Sequence, residues 1–321
     1  MKTKPMATSL RGKVNFSTFT IIFLTVGLFV ALSLFTETFF SYSNIYSLVF
    51  GLSIQFFAMI GFTYLMIMGE IDLSVGAVYG FGGALLGIFV ITFQMPFFPA
   101  LILTLVVAAL IGFINGYLVV RFRLISMMVT IGMMSILKGL TSILTGSLGA
   151  QVFPSVYRAL IKYKLFDIHW SIIAFLLILV ILEVLLKWTA PFRRMYYIGH
   201  NINTARVYGI KVERMKIVAF MTSAVTAAFG GILATSRITH AYPTTGLGLE
   251  FTVVTAAVLG GASLFGGRGS MLRSALGLAF LALVLNGMII FRIDPYFQQV
   301  LLGAILIAAV FVDTRLNRVR A

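Results

Sequence analysis

Cysteine is absent from this 321-residue chain and histidine nearly so, with three. Disulfides and thiolate metal sites are therefore excluded. His169, His200 and His240 fall on different connections without metal-ligand spacing, so no metal is expected. Charge is scarce as well: 10% of the residues are charged, where a soluble domain carries about 25%. Acidic residues are the scarcest, nine against 24 basic ones, which leaves a net charge of +15. No GxxxxGK[ST] sequence occurs, because Gly12-Lys13 is followed by Val14, so the chain is not expected to bind ATP through a phosphate loop of its own.

What fills the chain instead is apolar. Hydrophobic residues make up 60% of it and the mean hydropathy is +1.06, which places it among integral membrane proteins. Segments near 19–35, 45–69, 73–93, 98–119, 124–145, 168–187, 216–235, 247–265, 270–291 and 296–312 mostly reach the roughly 17 to 25 residues that a crossing needs. The expected fold is all-α, with about ten transmembrane helices in one membrane domain over 1–321. Met1-Lys2-Thr3-Lys4 and Arg11-Gly12-Lys13 precede the first segment without a small-residue cleavage site, so it reads as a retained helix. Placing both termini in the cytoplasm puts eighteen of the 24 basic residues on that side, including Arg121, Arg123, Arg193, Arg194 and Arg206. The positive charge then reports topology and attraction to anionic membrane lipid, and no nucleic-acid partner is expected.

Two stretches align without a gap, Asp72 to Leu86 and Glu250 to Leu264. Asp72 pairs with Glu250, Ser74 with Thr252, and Gly82-Gly83-Ala84 with Gly260-Gly261-Ala262; a second block pairs Asn115-Gly116 with Asn286-Gly287 and Gly132 with Gly303. Polar and paired-Gly positions matching in one order favour a repeat over chance matches in a Gly- and Ala-rich chain. The repeats, about 45–147 and 216–313, are separated by an odd number of crossings and are expected to be inverted, with Asp72 and Glu250 near opposite membrane faces. Glu70, Asp72 and Glu250 sit at helix starts, where capping is one role. A carboxylate at membrane depth is costly unless it faces protein or water, so gating is the other. Asn115 and Asn286 can bond between helices or line a path.

The longest polar connection, Thr189 to Arg214, contains a helical stretch from Ile202 to Val207 with Gly209 as its C-terminal stop. It either presents a short helix to a partner or merely joins two crossings. The connection from Gly149 to Asp167, with Pro154, Tyr157, Arg158, Tyr163 and Phe166, reads as an interfacial segment on the external side.

Further motifs are Ile71-Asp72-Leu73-Ser74-Val75-Gly76, Val129-Thr130-Ile131-Gly132-Met133-Met134-Ser135-Ile136-Leu137, and Gly260-Gly261-Ala262-Ser263-Leu264-Phe265-Gly266-Gly267-Arg268-Gly269-Ser270. With Gly199-His200-Asn201, Ala205-Arg206, Gly209-Ile210, and Asn286-Gly287 followed by Asp294-Pro295-Tyr296, they cover about residues 45 to 313. In these motifs the chain resembles the ribose/xylose/arabinose-type permeases of bacterial ATP-binding-cassette sugar importers, within the branched-chain amino acid and sugar permease superfamily. The resemblance implies an inner-membrane permease for a monosaccharide. Its implied partners are a second permease copy or paralogue, a cytoplasmic ATPase that holds the ATP and Mg, and a periplasmic sugar-binding protein. It also implies that Gly199, Asn201, Ala205, Arg206 and Gly209, in a coupling loop over 189–214, engage the ATPase. On this reading Asp72, Ser74, Asn115, Glu250 and Asn286 serve translocation or gating, with Gln55, Phe56 and Tyr79 as further solute contacts; no residue is catalytic.

Departures from the family pattern are Glu70 for Gly, Ser126-Met127 for Pro-Pro, His200 for Gly, Thr204 for Ala, and Arg273 for a small residue. They leave the particular solute open, since the family has nucleoside and branched-chain amino acid relatives. Two competing readings are a membrane-embedded enzyme using Glu70 and Asp72 with a metal, and a proton-coupled transporter using Asp72 and Glu250. The absence of a phosphate loop generates a first test. The purified chain is expected to show no ATP turnover alone and to transport only with a separate nucleotide-binding subunit; turnover by the isolated chain would overturn the permease reading.

Overall fold

The computed structural model describes residues 8–146, 151–152 and 163–318, with side chains described over 19–146 and 163–315. Lys2, Lys4, Pro154, Tyr157, Arg158, Lys162 and Arg320 therefore lie outside the described residues. Twelve helices are present among those described: α1 (Thr8–Phe35), α2 (Tyr42–Ile67), α3 (Val75–Ile91), α4 (Phe97–Arg121), α5 (Ser126–Thr145), α6 (Trp170–Trp188), α7 (Ala190–His200), α8 (Ile202–Val207), α9 (Val212–Ile238), α10 (Leu249–Leu259), α11 (Met271–Ile290) and α12 (Pro295–Arg318). Seven of them, α2, α4, α5, α6, α9, α11 and α12, are long and apolar enough to cross a membrane; α3, α10 and the 19–35 part of α1 are shorter apolar helices. Helices dominate because hydrocarbon offers no partner to backbone N–H and C=O groups, which a helix satisfies internally.

Four two-residue strands are present among the described residues: β1 (Gln151–Val152) pairs with β4 (His240–Ala241), and β2 (Lys164–Leu165) with β3 (Ile168–His169). In the second pair Phe166 and Asp167 both have positive φ, as a tight hairpin requires. Exposed Tyr163 and Phe166, expected in an interfacial segment, thus belong to a small hairpin.

The longest packed helix, α9, lies against α2, α3 and α4. These contacts are close because the facing residues are small. A Cβ added to Gly61 of α2 would overlap the Ser223 backbone, one on Gly82 of α3 would meet Ala228, and one on Gly231 of α9 would run into the Tyr79 carbonyl. Lipid tails are as apolar as leucine, so helices in a bilayer associate through such backbone approach and dispersion. Phe56, Phe62, Met59 and Phe220 are fully buried around these contacts, while α5 and α12 are the least covered spans.

The pairing of Gly61 with Ser223 and of Gly230 with Ile54 makes α2 and α9 antiparallel. Helix α3 starts beside Ser223 and follows α9 toward Thr235. Helix α10 starts against Gly76 of α3 and leads back to the end of α2, where Gly267 N donates to the Ile67 carbonyl at 2.8 Å. The two short helices therefore run in opposite directions from adjoining starts inside the molecule. Asp72 and Glu250 were expected near opposite faces, and this packing corrects that: both precede or open helices that begin in the interior. The crossing expected over 247–265 likewise shrinks to Leu249–Leu259, because Gly261, with φ +81, turns the chain and the connection to Ser270 folds against α2.

Gly231→Ala is expected to destabilise the detergent-solubilised protein by about 1 to 3 kcal/mol through overpacking. Gly132→Ala, on an open face of α5 with nothing within 4 Å, should instead leave it unchanged or more stable by up to about 1 kcal/mol. Thermal unfolding of the two variants checks both.

Candidate translocation site

The connection 69–74 breaks the helix ladder inside the protein, and side chains from three helices take over its polar groups. Ser126 Oγ accepts from Ile71 N at 3.2 Å and Thr130 Oγ1 from Leu73 N at 3.0 Å, both from α5. Asp72, 1% exposed, accepts on Oδ1 from Ser74 N (2.9 Å) and Ser74 Oγ (2.5 Å) and on Oδ2 from Ser223 Oγ (3.0 Å). Asn115 Nδ2 of α4 donates to Ser74 Oγ at 3.1 Å. Asp72 is thus not the N-cap, a position held by Ser74, whose side chain makes no capping bond to the helix. It anchors the approach to the cap and ties α3, α4 and α9 together. Glu70 forms a short, buried ion pair with Lys216 in the first turns of α9, so α9 holds this connection twice, through Lys216 and through Ser223 seven residues on.

Glu250 is the second residue of α10, 1% exposed. Its Oε1 lies 3.5 Å from Lys138 Nζ of α5, and its Oε2 is buried with no donor among the described residues. Gly76 packs directly on that oxygen, leaving no space for a side chain there. The positive ends of α3 and α10 and the Lys138 ammonium all favour negative charge at this point. Asn115 Oδ1 is another buried acceptor without a donor among the described residues. The junction therefore presents unfilled acceptors, which suit a ligand that donates hydrogen bonds.

Other expected contacts separate from this cluster. Asn286 exchanges hydrogen bonds with Asn44 at 2.8 and 3.1 Å, clamping the end of α11 to the start of α2. Phe56 packs edge-on against Phe175 in the core. Tyr79 is buried where Gly231 and Gly246 approach, and Gln55 is half-buried. Ser223, Lys216 and Lys138 were not singled out from sequence. A lysine inside the apolar α5 segment was the available signal; nothing marked the serine.

The 189–214 connection is more ordered than a polar joint. Helix α7 was unforeseen. Helix α8 spans Ile202–Val207 as expected, capped by Asn201 Oδ1 accepting from Thr204 N at 3.0 Å and ended by Gly209 at φ +74. Ala205 is buried with Leu65, Val119 and Phe220. Gly199 sits so close to the Ile67 carbonyl and Gly267 N that a Cβ would overlap both. Tyr196 OH donates to the Gly269 carbonyl at 3.0 Å, and burial, helped by the Glu183 carboxylate, pushes this phenol up to about 12. Arg206 pairs with Glu213 at 2.7 Å, half-exposed, which is worth about 1 kcal/mol or less. Among the described residues, no group of three or more His, Asp or Glu could hold a metal ion, and Glu70 and Asp72 are engaged separately.

Comparison with known proteins adds identity to this geometry. Residues 44–310 match the family model described as branched-chain amino acid transport system / permease component. The chain is 29% identical over 304 residues to the D-allose transport system permease protein AlsC of Escherichia coli strain K12, covering 95% of this chain and 93% of that one. It is 31% identical over 302 residues to the ribose import permease protein RbsC of Bacillus subtilis strain 168 (90% and 91%), and 33% identical over 260 residues to the autoinducer 2 import system permease protein LsrC of Escherichia coli strain SMS-3-5 (80% and 75%). No solved structure matches.

Ser223→Ala removes the one hydrogen bond to Asp72 Oδ2 and leaves a buried carboxylate oxygen unsatisfied. A loss of about 1.5 to 3 kcal/mol is expected in thermal or denaturant unfolding. Arg206→Ala, at the exposed pair, should cost less than about 1 kcal/mol.

Proposed function

The chain belongs to the permease-component family of branched-chain amino acid transport systems, and from that premise we propose that it forms the path for a monosaccharide in an ATP-driven importer. As a multi-pass inner-membrane transport subunit it performs no covalent chemistry itself. The observation that carries the solute reading is the junction of α3 and α10, where Glu250 Oε2 and Asn115 Oδ1 are buried acceptors without donors among the described residues. A neutral polyol supplies hydroxyl donors; allose and ribose permeases among the relatives support that choice of solute. Broken helices whose positive ends meet at a buried site are a recurrent plan for membrane transport.

The partners in this reading are an ATPase on the side of α7 and α8, a periplasmic binding protein on the other, and a second permease copy. In this reading the termini are cytoplasmic, and α1, α3 and α10 join the seven long spans as ten membrane helices in two inverted repeats over 45–147 and 216–313, with α3 and α10 starting in the interior. Gly199, Asn201, Ala205, Arg206 and Gly209 shape the face that meets the ATPase. Motion there reaches α9 directly, since α9 starts five residues after α8. Lys216 and Ser223 then pass it to Glu70 and Asp72 beside the path. The Lys138–Glu250 pair closes the junction in this conformation.

A charge-paired double variant separates transport from folding. Lys138→Met alone leaves a buried charge unpaired and is expected to cost about 3 to 5 kcal/mol. Lys138→Met with Glu250→Gln removes both charges at nearly constant shape and should restore stability. Uptake of labelled ribose or allose by the assembled importer in proteoliposomes should nevertheless fall at least about tenfold, the loss of one strong charged hydrogen bond. Normal uptake by the stable double variant would overturn the assignment of the junction as the path.

A further inference from the structure

The connection between β4 and α10, Tyr242 to Gly248, forms neither helix nor strand and yet lies deep in the molecule. Its Thr245 carbonyl packs on Gly80 of α3 and its Gly246 carbonyl on Gly76, where only a missing side chain leaves room. Past Gly80, α3 continues for about 16 Å before it ends at Ile91. The connection therefore sits well below the end of its neighbour. Three tight turns hold it together: Thr245 N, Leu247 N and Leu249 N donate to the carbonyls of Tyr242, Thr244 and Gly246 at 2.9, 3.0 and 3.1 Å. The alternate amides are left over. Thr244 N, Gly246 N and Gly248 N donate to no group among the described residues.

Hydrocarbon offers such groups no partner, so irregular backbone at membrane depth survives only against protein or water. Thr244 is exposed and Leu247 is 56% exposed, so the chain itself does not cover this side. Lys138, which reaches Glu250 from α5, has 34% of its side chain exposed, and an ammonium in an apolar span has the same requirement. Two separate elements thus call for water beside Glu250. The connection also completes the junction chemically. The carboxylate oxygen of Glu250 and Asn115 Oδ1 can only accept, and the three amides can only donate. Resting on the reading of the junction as a solute path, we infer that the 242–248 backbone is the half of the solute site on the side away from α8. Its free amides donate to oxygens of a polyhydroxylated solute, and hydroxyls of that solute donate to Glu250. An anionic solute is disfavoured there by the Glu250 and Asp72 carboxylates.

The chain has no cysteine, so single cysteine variants of the assembled importer in proteoliposomes test this. The probe is a sulfonate-bearing methanethiosulfonate, which stays in water and attacks the thiolate. The Leu247→Cys variant should react at least about tenfold faster than Leu110→Cys, where the exposed side chain of α4 faces lipid and the thiol stays protonated. Binding protein loaded with ribose or allose should slow the reaction more than unloaded binding protein does. Once modified, Leu247→Cys should lose uptake, whereas modified Phe166→Cys, on the β2–β3 hairpin, should keep it. An ester in place of the Thr245–Gly246 amide, introduced with the α-hydroxy analogue of glycine, deletes one free donor without altering a side chain. Protection by sugar should then weaken about three- to tenfold at unchanged melting temperature. Labelling of Leu247→Cys at the Leu110→Cys rate, a disulfide from it to a second copy, or undiminished protection in the ester variant would overturn the inference. Protection by leucine, in importers that take up neither sugar, would overturn the monosaccharide reading and leave the connection in the path.

Discussion

Two helices that begin inside a membrane protein leave backbone N–H groups where no water can reach them, and the rest of this architecture answers that constraint. The connection before α3 meets it with side chains: Ser126 and Thr130 take Ile71 N and Leu73 N, and Asp72 takes Ser74 N. Asp72 can remain in that position only because Ser74 and Ser223 donate to it, so α9 must lie alongside. The glycines and alanines of α2, α3 and α9 follow from the same need, since hydroxyl groups reach across helices only when backbones come close.

The junction and the connection around α8 are mechanically continuous. Gly199 and Gly267 are pressed on the last carbonyl of α2, two residues before Gly69 opens the 69–74 connection. Lys216 and Ser223 reach that connection from the other side. A displacement of α8 therefore has two short routes to Asp72, one through the end of α2 and one through α9. The exposed Arg206–Glu213 pair contributes little to stability, which leaves Arg206 open to a partner.

Much of the candidate site was legible because the residues involved are out of place in hydrocarbon. Asp72, Glu250 and Asn115 stand out in apolar surroundings, and the structure buries all three. Asn286 stood out equally and yet serves a clamp with Asn44, since a polar residue between helices has the same signature whether it bonds to solute or to a neighbour. Ser223 and Thr130 were illegible: hydroxyl residues are common in membrane helices, where they usually bond to their own helix, and their partners lie 151 and 57 residues away.

By itself the sequence determined that the chain is helical and membrane-embedded, and that residues 202–207 form a helix stopped at Gly209. Hydropathy, capping chemistry and residue spacing act over a few turns, so they can be read along the chain. The tertiary structure alone decided that the stretches opening at Asp72 and Glu250 start side by side in the interior, that α10 ends at Leu259, and that Glu250 pairs with Lys138. Those outcomes depend on which backbones can approach at Gly61, Gly76 and Gly231, and on charges that are affordable only when a distant partner arrives to meet them.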